Sequence, residues 1–434
     1  MSLENKIRNQ SARVVVVGIG YVGLPLVVEL GRAGFRVTGF DHDATKVESL
    51  NAAKSYIEDI KSEDLEPHVR AGRMDASTDE KVIAEADCVI LCVPTPLKKS
   101  KDPDMSYIEA SAQAVARNQH ADMLVVLEST TYPGTTRDYL VTALEQGGKY
   151  SVGKDLFVAF SPERVDPGNA RFGTRNTPKV LGGVTPACMS AAKALYAQLV
   201  DTVVSVSSPD AAEMVKLLEN TFRAVNIGLV NEFALICERL GLDVWEVIAA
   251  ASTKPFGYMP FYPGPGLGGH CIPIDPLYLS WKMRGLKMPA RFIELADMVN
   301  TAMPEHVVSL VASALNDDSK AMKGANVLIS GVAYKRNVSD VRESPAIDVI
   351  EGLLARGVVV SYLDPWVPSF KEGKHVFESM KADASFSSYD AIVIVTDHAS
   401  IDYARMVKEA KVIVDTRNAT RTVAAEAKAR IVRL

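Results

Sequence analysis

The sequence predicts an α/β protein: two doubly wound domains joined by a long central helix and a helical middle domain. Three observations predict it. Short β-branched runs alternate with helical patterns near both ends of the chain, the mark of parallel sheets covered by helices. A glycine-rich turn closes the first of these runs. Between the two halves, from Pro209 to Leu240, an apolar helical pattern meets no breaker except Gly228.

The elements follow in order. Residues 13–18, RVVVVG, read as a strand buried on both faces. A helical pattern runs on to Gly34, and a second strand, 35–40, ends at Asp41. That is a βαβ unit. Further strand-sized runs lie at 88–93, 124–127, 156–160 and 180–181. Ser208-Pro209 is a helix start, an N-cap serine with proline at the first helical position. The helix it opens would be roughly 45 Å long at 1.5 Å per residue. Too long for a crossover, it reads as a spine between domains and as a surface two subunits could share. Residues 252–276, STKPFGYMPFYPGPGLGGHCIPIDP, are dense in Gly and Pro and form a long loop, of the kind that carries function. Helix then runs to near Ser319. Strands return in ANVLISGVAY, VVVSYLDPW, AIVIVTDH and VIVDTR, with a helix in RESPAIDVIEGLLARG. Asp364 echoes Asp41. The second half is therefore Rossmann-like but lacks phosphate-binding glycines, and a ligand cleft is expected between the halves. The expected domains are 1–208, 209–320 and 321–434.

Length and composition agree. For 434 residues the prior is about three domains. A chain 47% hydrophobic and 23% charged is neither disordered nor fibrous. Its net charge of −5 argues against a nucleic-acid partner, whose binding surface would be basic. No apolar run approaches the ~18 residues of a membrane span, and MSLENKIRNQ has no signal-peptide core, so no membrane association and a cytoplasmic location are expected. The five cysteines are odd in number and widely spaced, which suggests neither a disulfide framework nor a metal site. Four of them read as buried filler.

Gly18-Ile19-Gly20-Tyr21-Val22-Gly23 is a GxGxxG motif between a strand and a helix. One glycine makes the turn, one admits a pyrophosphate, and one lets helix and strand pack closely. Asp41 stands 18 residues beyond Gly23. A carboxylate there accepts from an adenosine ribose and repels a 2′-phosphate, so the expected cofactor is NAD.

Cys271 lies in GPGLGGHCIPID. Glycines 264, 266, 268 and 269 are expected to leave N–H groups free and to allow positive φ, a cradle for phosphate or an oxyanion. A thiol beside such donors is a nucleophile or a buried structural cysteine. His270 is a packing residue or a base. Asp275 could orient a water. On the long helix Lys216, Asn220 and Arg223 share one face at i, i+4 and i+7. They form either a solvated stripe or a site in which Lys216 is a base and Arg223 meets a phosphate.

Taken together, GIGYVGLPL, CVPTP, ESTTYPGTT, SPERVDPG, AEMVKLLENTFRAVNI, GPGLGGHCIPIDP and VAYKRNVSDVRESPA resemble the UDP-glucose/GDP-mannose dehydrogenase family over residues 13–420. SPERVDPGN and TKPFGYMPFYPGPGLGGHC are most similar to its UDP-N-acetylhexosamine branch. UDP-glucose enzymes carry a bulky apolar residue in place of Arg164, and an Arg near Pro255 where this chain has Lys254.

The resemblance implies oxidation of C6 of a UDP-N-acetylhexosamine, UDP-GlcNAc foremost, to a carboxylate with two NAD+, for surface polysaccharide. It implies Cys271 as the thiol that forms a thiohemiacetal and then a thioester. Lys216 is the implied base, Asn220 its assistant, Asp275 the acid that supports the base and water, and Glu163 and Thr130 members of the proton network. NAD positions would be Gly18, Gly20, Tyr21, Val22, Gly23, Asp41, Lys46, Thr95, Thr130 and Arg342. Glu163, Arg164, Val165, Lys216, Asn220, Arg223, Tyr262, Gly266, Tyr334, Lys335 and Arg417 would hold the substrate. A homodimer built on the long helix is also implied. A two-electron hydroxy-acid dehydrogenase would need no such cysteine, and a non-catalytic sugar-nucleotide sensor would be expected to lack Cys271 or Lys216.

Overall fold

A computed structural model describes residues 1–57, 60–98, 100–165, 169, 171–373, 375–381 and 383–434. Part of the SPERVDPGN motif, Asp166 to Gly168, lies outside the described residues. The chain forms two compact units, residues 1–219 with 281–286, and residues 220–280 with 287–434.

The first unit holds an eight-stranded sheet: β1 (Arg13–Val17), β2 (Arg36–Phe40), β3 (Met74–Ser77), β4 (Cys88–Leu91), β5 (Met123–Leu127), β6 (Leu156–Phe160), β7 (Lys179–Gly183) and β8 (Val203–Val206). Their spatial order is 3-2-1-4-5-6-7-8. The first six are parallel in the order of a dinucleotide-binding fold. The sheet is not wholly parallel, however: β7 pairs antiparallel with β6. The edge strands β3 and β8 escape the sequence reading because each is partly solvated, with no continuous apolar run. The central strands β4 and β5 are buried at every position, which is why they read clearly. The helix Gly23–Arg32 packs Leu24, Val27 and Leu30 into this core. Burying each such leucine is worth about 1.5–3 kcal/mol.

The helix Pro209–Leu240 keeps the bounds the sequence predicts and runs 32 residues. Ser208 Oγ accepts the Ala211 N–H at 3.1 Å and so caps it. Leu218, Phe222, Leu229, Phe233, Ile236 and Leu240 are exposed along it.

The second unit holds a parallel sheet of β9 (Asn326–Ser330), β10 (Val359–Leu363), β13 (Ala391–Ile394), β14 (Val412–Asp415) and β15 (Arg430–Arg433), in the order 10-9-13-14-15. A hairpin of β11 (Ser369–Glu372) and β12 (His375–Glu378) follows β10. Asp364 follows β10 as Asp41 follows β2, and it is buried beside His398. Its Oδ2 accepts the Val332 and Ala333 N–H groups at 2.7 and 3.0 Å and pairs with His398 Nε2 at 3.0 Å. The carboxylate thus braces the turn that follows β9. Burial would raise its pKa, but His398 and these N–H groups outweigh burial and hold it below the ordinary range.

Candidate active-site groups and the family of the chain

In the first unit the three glycines act for three different reasons. Gly18 has φ +86°, and a Cβ there would lie 2.8 Å from the Cys92 carbonyl oxygen. A Cβ on Gly20 would meet nothing within 4 Å, so this side of the turn is open to a ligand. A Cβ on Gly23 would collide with the Gly18 carbonyl. No side chain caps the helix that begins there, and the Leu24 N–H donates to the Gly20 oxygen at 3.0 Å. Tyr21 is exposed and Val22 half-buried at this corner. Asp41 Oδ2 accepts the Ile19 N–H at 3.1 Å, its Oδ1 accepts the Asp43 N–H at 3.0 Å, and Lys46 Nζ lies 3.3 Å away. The turn thus fits a pyrophosphate, and the carboxylate fits a ribose. Thr95, half-buried, follows β4.

Lys216 Nζ donates to the main-chain oxygen of Glu163 at 2.6 Å. Glu163 Oε1 accepts the N–H groups of Arg164 and Val165 at 2.8 and 2.5 Å, and Oε2 accepts from Lys179 at 3.1 Å. Burial would raise the Glu163 carboxyl, but Lys179, the Val165 N–H and Lys216 hold it below the ordinary range. Arg164 donates to Glu219 and to the Pro178 carbonyl, both at 2.6 Å, so its guanidinium is braced within the protein. Thr130, half-buried, follows Ser129, whose hydroxyl donates to the Val93 oxygen at 2.8 Å.

Sequence reasoning missed Glu128, Lys179 and Glu213. Glu128 closes an apolar strand as Asp41 does, and that was the available signal. Glu213 is fully buried and accepts from the Gly134 N–H, the Thr136 N–H and the Thr136 hydroxyl at 2.7–2.8 Å. Burial nevertheless raises its carboxyl to about 7.

In the second unit Cys271 is the exposed cysteine; the other four are buried. Its carbonyl accepts the Asp275 N–H at 2.8 Å as the helix Asp275–Gly285 begins. Asp275 and Asn220 are both buried, and Asn220 Nδ2 donates to Asp275 Oδ2 at 2.5 Å.

The glycine loop departs from expectation. Of glycines 264, 266, 268 and 269, only Gly266 and Gly269, at φ +133° and +84°, use the positive region. The Gly264 N–H is not free but donates to Asn231 Oδ1 at 2.9 Å. Gly264 and Gly268 are small for packing: a Cβ on the first would strike the Arg417 guanidinium, and one on the second would lie 2.8 Å from Tyr334 Cβ. Gly266 packs likewise against Pro345.

Arg417 Nε donates to the Val395 oxygen at 2.8 Å, and among the described residues no carboxylate pairs with it. A half-buried guanidinium of that kind suits a phosphate. Lys335 is half-buried beside Tyr334, and Tyr262 stacks on Trp245 with centroids 6.1 Å apart. His270 Nε2 stands 3.7 Å from Asp340, which Arg342 also grips at 2.7 Å. Burial and Arg342 lower the His270 pKa. The polar stripe of the long helix is not uniform: Lys216 is half-buried, Asn220 buried and Arg223 exposed.

Comparison with known proteins shows the family of the chain. Residues 12–200 match the NAD binding domain of the UDP-glucose/GDP-mannose dehydrogenase family, 210–302 its central domain, and 328–422 its UDP binding domain. The chain belongs to that family. It is an NAD-dependent UDP-sugar dehydrogenase. It is 35% identical over 421 residues to the NDP-N-acetyl-D-galactosaminuronic acid dehydrogenase of Ralstonia nicotianae, covering 93% of this chain and 95% of that one. It is 32% identical over 389 residues to the UDP-N-acetyl-D-glucosamine 6-dehydrogenase of Pseudomonas aeruginosa, covering 89% and 90%. Among solved structures, the UDP-D-ManNAc dehydrogenase of Pyrococcus horikoshii matches with a TM-score of 0.87 and 32% identity, over 97% of this chain and 99% of that chain. Among the described residues no helix is long and apolar enough to cross a membrane.

Proposed function

We propose that this dehydrogenase oxidises C6 of a UDP-N-acetylhexosamine, UDP-GlcNAc before its epimers, to the carboxylate in two steps. The observation that carries the reading is the exposed Cys271 thiol four residues ahead of Asp275, which is buried and paired with Asn220. Lys216, fixed on the Glu163 carbonyl, takes the proton of the C6 alcohol and then donates to the developing oxyanion. Bound NAD supplies the hydride acceptor for each oxidation. Cys271 adds to the aldehyde carbon and holds a thiohemiacetal; loss of its hydride to the cofactor and of its hydroxyl proton to Lys216 turns it into a thioester. Water, oriented by Asp275, displaces the thiol and releases the carboxylate. Arg417 and Lys335 hold the diphosphate, and Tyr334, Gly266, Tyr262 and Arg223 complete the substrate contacts. Arg164 and Val165 follow the Glu163 turn and favour an N-acetylated sugar. The relatives named for GlcNAc, GalNAc and ManNAc substrates support the N-acetylhexosamine class.

A homodimer is part of the proposal. The exposed residues of the long helix recur at steps of four, seven, four, three and four, the spacing of a helix-pairing seam. A cytoplasmic location suits an exposed, reduced Cys271 thiol. The test is NADH formation with UDP-GlcNAc, UDP-GalNAc, UDP-ManNAc and UDP-glucose side by side. Two NADH per sugar with an N-acetylated substrate is expected; one NADH per sugar, or preference for UDP-glucose, refutes the reading. Light scattering at a dimer mass checks the assembly.

A further inference from the structure

A buried chain of charge lies behind Lys216, and the proposed chemistry leaves it unused. Lys179 opens β7 with its side chain only 6% exposed. Its ammonium donates to Glu128 Oε2 at 2.8 Å and to Glu163 Oε2 at 3.1 Å. Glu128 follows β5, is 1% exposed, and also accepts from the Tyr196 hydroxyl. The other oxygen of Glu163 accepts the two N–H groups that follow it in the chain, which folds the segment into a tight turn. That turn points the Glu163 carbonyl at Lys216 Nζ, 2.6 Å away.

Stability alone is a poor reason for this arrangement. Desolvating charges costs several kcal/mol each, and well-packed apolar residues often serve as well in a core. What an apolar core cannot do is hold a carboxylate ionised and aimed. We propose that Lys179 is a positioning residue for the oxidation: bridged between Glu128 and Glu163, it fixes the turn whose main-chain oxygen holds the side-chain nitrogen of Lys216. This rests on the reading of Lys216 as the base.

The groups facing Lys179 are Glu128, Glu163, Tyr196, whose ring lies 5.7 Å from the ammonium, and the buried Cys92 thiol after β4. Lys216 faces Glu163 from the long helix. Burial works to protonate Glu163, and Lys179 is the first of the groups that oppose it. Removing that ammonium lets the carboxyl take a proton at a higher pH, and a protonated Glu163 accepts less well from the Arg164 and Val165 N–H groups.

The experiment compares wild type, Lys179→Met and Lys179→Arg with whichever of UDP-GlcNAc, UDP-GalNAc and UDP-ManNAc the wild type oxidises fastest. For Lys179→Met, kcat is expected to fall by about 100-fold, the scale of an ångström-sized misplacement, with KM changed little. The acid limb of its pH–rate profile should move to higher pH. Lys179→Arg, which spans the same two carboxylates, should restore both quantities. Wild-type kcat in Lys179→Met, or a loss without a shifted acid limb, overturns the proposal. NADH binding reports whether the unit that holds Lys179 is folded. If Lys179→Met no longer binds NADH, Lys179→Gln is read on the same two quantities. No turnover by the wild type with any of the three sugars overturns the functional reading itself, and this proposal with it.

Discussion

The Asp41 carboxylate should set the preference for NAD over NADP, and the structure gives the size of the effect. A carboxylate offers about four lone-pair sites. Ile19, Asp43 and Lys46 use three of them. One remains to accept from a ribose hydroxyl. A 2′-phosphate placed instead about 4 Å away would be repelled by about 4 kcal/mol per pair of unit charges at an effective dielectric of 20. Lys46, 3.3 Å from Asp41, offsets part of that. A net of ~3 kcal/mol is roughly a 100-fold preference. Asp41→Ala should therefore lower the ratio of kcat/KM for NAD to that for NADP by about 100-fold. Asp41 also braces the glycine turn through the Ile19 N–H, so the alanine variant mixes two losses. Asp41→Asn keeps an acceptor for that N–H and removes only the charge; it should lose the preference while retaining more activity with NAD. Lys46→Ala should sharpen the preference. The assay is steady-state NADH or NADPH formation with each cofactor at fixed sugar. An unchanged ratio in both Asp41 variants would refute the reasoning.

Cys271→Ser should form at most about two NADH per site and then nearly stop, because a hydroxyl attacks an aldehyde poorly and an oxygen ester hydrolyses slowly. Sustained turnover near the wild-type rate, still with two NADH per sugar, would remove Cys271 from the chemistry. Arg164→Leu strands Glu219 and should cost about 1.5–3 kcal/mol in kcat/KM for the N-acetylated substrate. If Arg164 acts through that ion pair, Glu219→Gln shares the loss; an unaffected leucine variant means Arg164 does not serve the site. Glu213 gives a pH prediction. Its carboxyl is raised by burial from 4.5 to about 7, so the folded state disfavours the ionised form. Its contribution is therefore lost as pH rises through that window, by ~3 kcal/mol in all. Glu213→Gln has no such loss and should gain stability relative to wild type between pH 5 and pH 8. A constant gap between their unfolding midpoints would refute it.

Much of the fold was legible because its signals are local. RVVVVG is a buried parallel strand by composition alone, and the glycines after it have few other uses. The long helix could be bounded to the residue because Ser208-Pro209 opens it and Gly241, at φ +67°, follows its end. Cys271 stood out because its glycine loop is so biased in composition. The edge strands β3 and β8 were not legible, since half-solvated strands lack the apolar run that marks a buried one. Nor was the antiparallel turn of β7, because strand direction is decided by pairing and leaves no trace in either strand. The glycines near Cys271 misled for a similar reason. Composition says only that a side chain is missing, and Arg417, far along the chain, is what requires it at Gly264.

The groups that aim the chemistry are wholly tertiary. Lys179 meets a carboxylate 51 positions away, Asn220 meets Asp275 across 55, and Asp364 meets His398 across 34. No periodicity connects such pairs. A charged side chain in the sequence looks the same whether it will be solvated or buried. Only packing removes the water around it, and a desolvated charge must find its partner wherever the fold has put one.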